Sequence, residues 1–167
     1  MLRGTRLAGG LLGLALLLGA CSGAQSVQNA IDQAALRRRF GLPRRAEVVN
    51  YRGYPSMVGF GQREGLGLSA TFQLEPEPAQ AFLEMAAEAG WEPLPIEAGL
   101  VERIPFRELE VPLNLSQGAY LCLTAGNDVL HAKQTRSCDE VVQFHDIIFG
   151  VFDSTTDRVW VTVRSGY

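Results

Sequence analysis

The sequence has little of what usually announces chemistry. Histidine occurs twice, at positions 131 and 145, and cysteine three times, at 21, 122 and 138. No G-x-S-x-G elbow is present, which excludes the strand-to-helix nucleophile that this motif builds. Compact zinc sites bring their ligands in close pairs such as C-x2-C, and no such pair occurs. One glycine-rich stretch, GFGQREGLG at residues 59–67, lacks the G-x-G-x-x-G order and leads into a strand. A phosphate cradle needs a helix N-terminus behind it, so this stretch reads as a hairpin connection. Lysine is nearly absent. Lys133 stands alone and arginine carries the remaining positive charge, a bias that reads as codon usage. At a formal net charge of −3 there is no global case for nucleic-acid binding. The uncharged apolar run Leu7–Ala20 falls short of the roughly 20 residues a spanning helix needs.

What is present begins at the N-terminus. MLRGTRLAGGLLGLALLLGACSG places Arg3 and Arg6 ahead of that apolar run and small residues just before Cys21. This is the three-part layout of an export signal, so residues 1–20 are left out of the fold reasoning. Leu18-Gly19-Ala20-Cys21 resembles the lipobox of bacterial lipoproteins, in which an apolar residue and two small ones precede an invariant cysteine. The resemblance covers about the first two dozen residues and carries no information on the domain behind them. It implies that the Cys21 thiol receives a diacylglyceryl group and that cleavage leaves this lipidated cysteine as the new N-terminus. A third acyl chain, palmitate in kind, is often added in that class. Two or more chains anchor stably where one does not. Ser22 is not the aspartate that retains many Gram-negative lipoproteins at the inner membrane. The expected place is therefore the cell envelope: the outer membrane, facing the periplasm, if the source is Gram-negative. The competing reading is an ordinary cleaved signal with a chance cysteine.

The mature part, residues 21–167, is sized for one domain. Losing residues 1–20 removes two arginines and no acid, which shifts the formal charge from −3 to −5. Residues 21–26 read as a lipidated tether. From Val27 the apolar positions Ala30, Ile31, Ala34 and Ala35 follow at helical spacing. This predicts a helix within residues 27–43, capped by Ser26 and ended by Gly41-Leu42-Pro43. Arg37, Arg38 and Arg39 close that helix, with Arg44 and Arg45 just beyond. They are candidates for contact with anionic lipid headgroups, because a basic cluster near an anchored surface gains about 1 kcal/mol per charge. The competing reading is a solvated helix end whose cations suit the helix dipole and the acidic domain.

Residues 45–167 read as the sheet core. AEVVNYRGY is a strand. LGLSATFQL alternates, with Leu66, Leu68, Ala70, Phe72 and Leu74 on one face and polar residues on the other, as in a half-buried antiparallel strand. EPEPAQAFLEMAAEAGW is a helix with Phe82, Leu83, Met85, Ala86 and Ala89 on its buried stripe, closed by Gly90. Trp91 is expected to pack back on the sheet. Pro93, Pro95, Pro105 and Pro112 interrupt the next segment, which predicts edge strands and loops, with VERIPFRELEVP as a solvated edge. AYLCLTA and VLHAKQT form a hairpin about Gly126-Asn127-Asp128. IIFGVF is apolar on both faces and belongs in the middle of the sheet. DSTTD turns it into RVWVTVR, where Val159, Val161 and Val163 face the core. The fold class is α+β: a mainly antiparallel sheet, an N-terminal helix and one inserted packing helix.

In an oxidising compartment two remaining cysteines usually pair, so Cys122 and Cys138 are expected to form a disulfide. Free buried thiols are one alternative. A zinc site of Cys122, His131, Cys138 and His145 is another, and it requires one particular hairpin register to bring His131 onto the face of Cys122. His145 and Asp146 are adjacent, and adjacent strand residues point to opposite faces, so they make no dyad. Asp139, Glu140, Asp153 and Asp157 read as turn acids, and no cofactor is implied. The expected function is therefore non-enzymatic. The protein would be an envelope lipoprotein that binds a protein, cell-wall or lipid partner and no nucleic acid. The first alternative is a periplasmic inhibitor or immunity-type protein. The second is a hydrolase, which a deep pocket joining His131 or His145 to a carboxylate would reveal.

Overall fold

A strand with apolar side chains on both faces must lie between two packed layers. The computed structural model of the chain places Asp146–Asp153, DIIFGVFD, in that position, with all eight residues buried. The structure describes residues 25–54, 67–104, 109–125, 129–130, 132–141 and 146–165. By their contacts the residues divide into two compact units, 1–32 and 33–167.

The elements follow in chain order. Helix α1 covers 25–39. Strands β1 (Glu47–Tyr54) and β2 (Gly67–Gln73) precede helix α2 (Pro76–Glu88). Strand β3 (Glu92–Pro93), helix α3 (Ala98–Arg103), strand β4 (Gly118–Thr124) and strand β5 (Arg136–Ser137) come next. Strands β6 (Asp146–Asp153) and β7 (Arg158–Ser165) end the described chain. Among the described residues these form three helices and one seven-stranded sheet in the order β1-β2-β7-β6-β4-β3, with β5 also paired to β4. Every pairing is antiparallel. The class is α+β, as the periodicity predicts.

The two layers divide the side chains of β6 by parity. Ile148 and Phe152 join Val159, Val161 and Val163 of β7 and Leu68, Ala70 and Phe72 of β2 on the first face. There Leu36 and Phe40, at and just beyond the end of α1, and Ala79, Phe82 and Ala86 of α2 cover them. Trp91 does pack back on the sheet. Its ring lies edge-on to Phe82, centroids 5.2 Å apart, and to Phe40 at 6.3 Å. A Cβ at Gly150 would come within 2.8 Å of the Trp91 ring and 3.0 Å of Phe40, so glycine is what lets this cluster settle on β6. On the second face Ile147, Phe149 and Val151 meet Tyr120 and Cys122 of β4, covered by Ile96, Leu100, Ile104 and Leu109.

Several expectations are corrected. In α2 the buried stripe is Ala79, Phe82 and Ala86, whereas Leu83, Met85 and Ala89 are exposed. One helical face meets the sheet, and a residue one position off Phe82 or Ala86 points away from it. In the first unit Val27 and Ile31 are 60% and 54% exposed, and the helix is already formed at residue 25, so Ser26 is not its cap. Gly41, at φ +67°, ends α1 as expected, because that left-handed turn suits a residue without Cβ. The segment after Pro95 is no solvated edge. It contains α3, and Ile104 and Leu109 are buried against the second face. An ion pair, Arg52 Nη1 to Glu110 Oε1 at 2.6 Å, ties this cover to β1.

Among the described residues of VLHAKQT, none pairs with β4 as a strand. Arg136–Ser137 does, with Leu123 opposite Ser137 and Thr124 opposite Arg136. Residues 129 and 130 are in a turn, with Val129 buried in the first core and Leu130 and Ala132 packed against it. Burial of these apolar groups outweighs the few ladder hydrogen bonds a longer hairpin would add. Positions 55–66, 126–128, 131 and 142–145 lie outside the described residues, and with them the two expected turns, His131 and His145.

Candidate functional site

The register of β4 and β5 sets the covalent chemistry. Leu123 faces Ser137, so the next pair outward is Cys122 and Cys138. The two are joined by a disulfide, with Cα atoms 5.4 Å apart. The bond consumes both thiols, so neither a Cys2His2 zinc set nor a thiolate nucleophile can use them. Cys138 opens a short 3-10 turn, Cys138–Glu140, in which the Ser137 hydroxyl accepts from the Asp139 amide. Arg103 of α3 holds this turn. Its Nη1 donates to the Val141 carbonyl at 3.1 Å and to the Cys138 carbonyl at 3.4 Å, and its Nη2 meets Asp139 Oδ1 at 3.2 Å. The sequence carries no signal for this clamp, because α3 itself is hidden among prolines.

Two further polar groups are tuned by their surroundings. The Tyr120 hydroxyl donates to Glu92 Oε2 at 2.6 Å across the β3–β4 pair. Burial, the bond to Glu92 and the nearby charges of Glu92, Asp139 and Glu97 push its pKa well above the ordinary tyrosine value. Asp153 is buried at the β6–β7 turn. Burial pushes its carboxyl up, but three hydrogen bonds outweigh that and hold it below the usual value. They come from the Thr155 amide at 2.9 Å, the Thr155 hydroxyl at 2.7 Å and the Thr156 hydroxyl at 2.8 Å. An aspartate followed by threonines two and three residues on is a readable turn signal, and Asp153 is the turn acid it marks. Among the described residues no three His, Cys, Asp or Glu side chains gather as a metal site would need.

The arginine cluster is the candidate binding site, and the second unit contains all of it. Gly41 reverses the chain after α1, which brings the segment from Leu42 to Ala46 back beside the last helical turn. The Leu42 amide donates to the Arg37 carbonyl at 2.8 Å, and Arg37 Nη2 donates to the Ala46 carbonyl at 3.0 Å. The Arg37 guanidinium also lies 5.1 Å from the centroid of the Phe72 ring, within cation–π reach. A groove of about 480 Å³ opens along this reversal, lined by Ala34, Arg37, Arg38, Gly41, Leu42 and Arg44. Arg39 points elsewhere. Its Nη1 donates to the Ala132 carbonyl at 2.9 Å, and burial pulls its pKa below the ordinary arginine value. Arg45 is exposed and outside the groove. The structure thus brings together three of the five arginines and separates the other two. Cys21, the expected lipidation site, lies outside the described residues.

Compared with known protein families, with curated proteins and with solved structures, the chain matches none.

Proposed function

We propose that the protein is a membrane-anchored envelope lipoprotein, lipidated on Cys21, whose α+β domain acts by binding another envelope component. The observation that carries the reading is the disulfide between Cys122 and Cys138, which is independent of the N-terminal signal. A lasting structural disulfide belongs to an oxidising compartment, and that is where the export signal would deliver the chain. The disulfide therefore supports the export part of this reading. No helix among the described residues is long and apolar enough to cross a membrane, so the lipid on Cys21 would be the attachment. In a Gram-negative source, Ser22 directs this reading to the outer membrane, facing the periplasm.

Intact mass of the protein extracted from membranes tests the proposal. The expected chain starts at Cys21, carries added acyl mass, and is two hydrogens lighter than its reduced form. A Cys21→Ala variant is expected to remain uncleaved and unacylated. A mature chain that starts elsewhere without acyl mass would overturn the anchor.

A further inference from the structure

The arginines at the end of α1 are unusual in how they are held. Arg52 and Arg103 each meet a carboxylate, Glu110 and Asp139. Among the described residues, Arg37, Arg38, Arg39, Arg44 and Arg45 meet none. One neutral backbone carbonyl, that of Ala46, and an aromatic face position Arg37, so its charge is fixed in place with no carboxylate partner among the described residues. Its Nε is buried and has no acceptor among the described residues, and the same holds for Nε and Nη2 of Arg39. Buried donors are nearly always satisfied, and one attached to a charged group is more costly than average to leave open. This concentration of positive charge sits in a chain whose mature charge is −5, and among the described residues no acid forms an ion pair with it.

We infer that the groove lined by Arg37, Arg38 and Arg44 binds the phosphate group of an anionic lipid headgroup. Guanidinium groups offer paired donors that match phosphate oxygens, and three arginines are among the residues that line the groove. At about 480 Å³ it falls within the usual range of small-molecule sites. Leu42 and Ala34 give it an apolar wall suited to the organic part of a phosphate ester. The reach is short: Arg37 follows Cys21 by sixteen residues, and from residue 25 onward these are helical, rising only about 1.5 Å each. This inference rests on the membrane-anchored reading. It goes beyond a general basic surface because it selects Arg44 and leaves Arg45 out.

The test uses the full mature protein in two kinds of vesicle, phosphatidylcholine alone or mixed with phosphatidylglycerol. Modification of each arginine by phenylglyoxal is read by peptide mass. Arg38 and Arg44 are expected to be protected in the anionic vesicles, unprotected in neutral ones, and released at high salt. Arg44→Gln is expected to weaken protection of Arg38 about five-fold, the equivalent of one charge near an anionic leaflet. Arg45→Gln removes the same charge one residue away and is expected to leave it unchanged. Equal effects of the two variants, or uniform protection that includes Arg136 and Arg158, would overturn the groove. Protection by soluble glycerol phosphate without any effect of vesicle composition would overturn the lipid assignment. Failure of the anchor is read separately, as absence of acyl mass and of association with neutral vesicles.

Discussion

Reducing the bond between Cys122 and Cys138 changes two hydrogens and leaves every side chain in place, which makes it a clean perturbation. The bond closes a loop with a sequence separation of 16. In the chain-entropy description, opening a loop of that size frees the unfolded chain by about 3 kcal/mol at 25 °C. Against a usual total of 5–15 kcal/mol the loss is large. At roughly 2–4 °C per kcal/mol for a domain of this size, the melting temperature should fall by about 6–12 °C. The folded state should hardly notice, because the loop is secured by other means. Val129 is buried in the first core, Arg39 bonds the Ala132 carbonyl, and Arg103 clamps the turn that carries Cys138. Urea unfolding of oxidised and reduced protein, followed by the fluorescence of buried Trp91 and half-buried Trp160, separates the two states. The expected result is a lower midpoint with an equal or steeper slope, since the opened chain exposes more surface on unfolding. A loss below about 1 kcal/mol, or a reduced protein without native tryptophan fluorescence before urea, would refute an effect located in the unfolded state.

Two other outcomes follow from local geometry. Gly150→Ala places a methyl group 2.8 Å from the Trp91 ring, and over-packing of this kind costs about 1–3 kcal/mol. Thermal unfolding should show that loss, and Trp91→Leu in the same chain should absorb most of it; additive effects would mean the two residues do not meet. Asp153 has its carboxyl held below the usual value, so its contribution is fully present above the unfolded carboxyl pKa of about 3.9. It is lost as pH falls through the lower folded value. Asp153→Asn should cost about 1–3 kcal/mol at neutral pH and flatten the acid side of the stability profile, and parallel acid limbs for the two proteins would sink the assignment.

Legibility in the sequence followed the strength of local periodicity. Strands β2 and β7 were readable because one face of each is core and the other is not, so apolar residues alternate. Strand β6 was readable for the opposite reason, as an apolar run too short for a helix of its own. Helix α3 was hidden because prolines on either side of it mimic an irregular edge. VLHAKQT misled because it has strand composition, whereas its apolar groups enter the core from a turn. In α2 composition alone widened the apolar stripe, and only packing shows that Leu83 and Met85 lie outside it. The disulfide could be inferred from compartment, although its direct opposition across β4 and β5 needed the register. The arginines were obvious as a cluster. The groove was not, because it depends on how Gly41 turns the chain and on the carbonyl of Ala46.

The borders of the sheet have a consequence for any partner. On one side, the outer edge of β4 is divided between β3 and β5, each two residues long. On the other, the ladder of β1 is broken by a bulge between Val48 and Asn50. A long, flat, open edge invites a second chain to add its own strand, and short border strands and bulges make such an edge less regular. Under the binding role proposed above, recognition would then fall to side chains and grooves, where single substitutions can change what is bound.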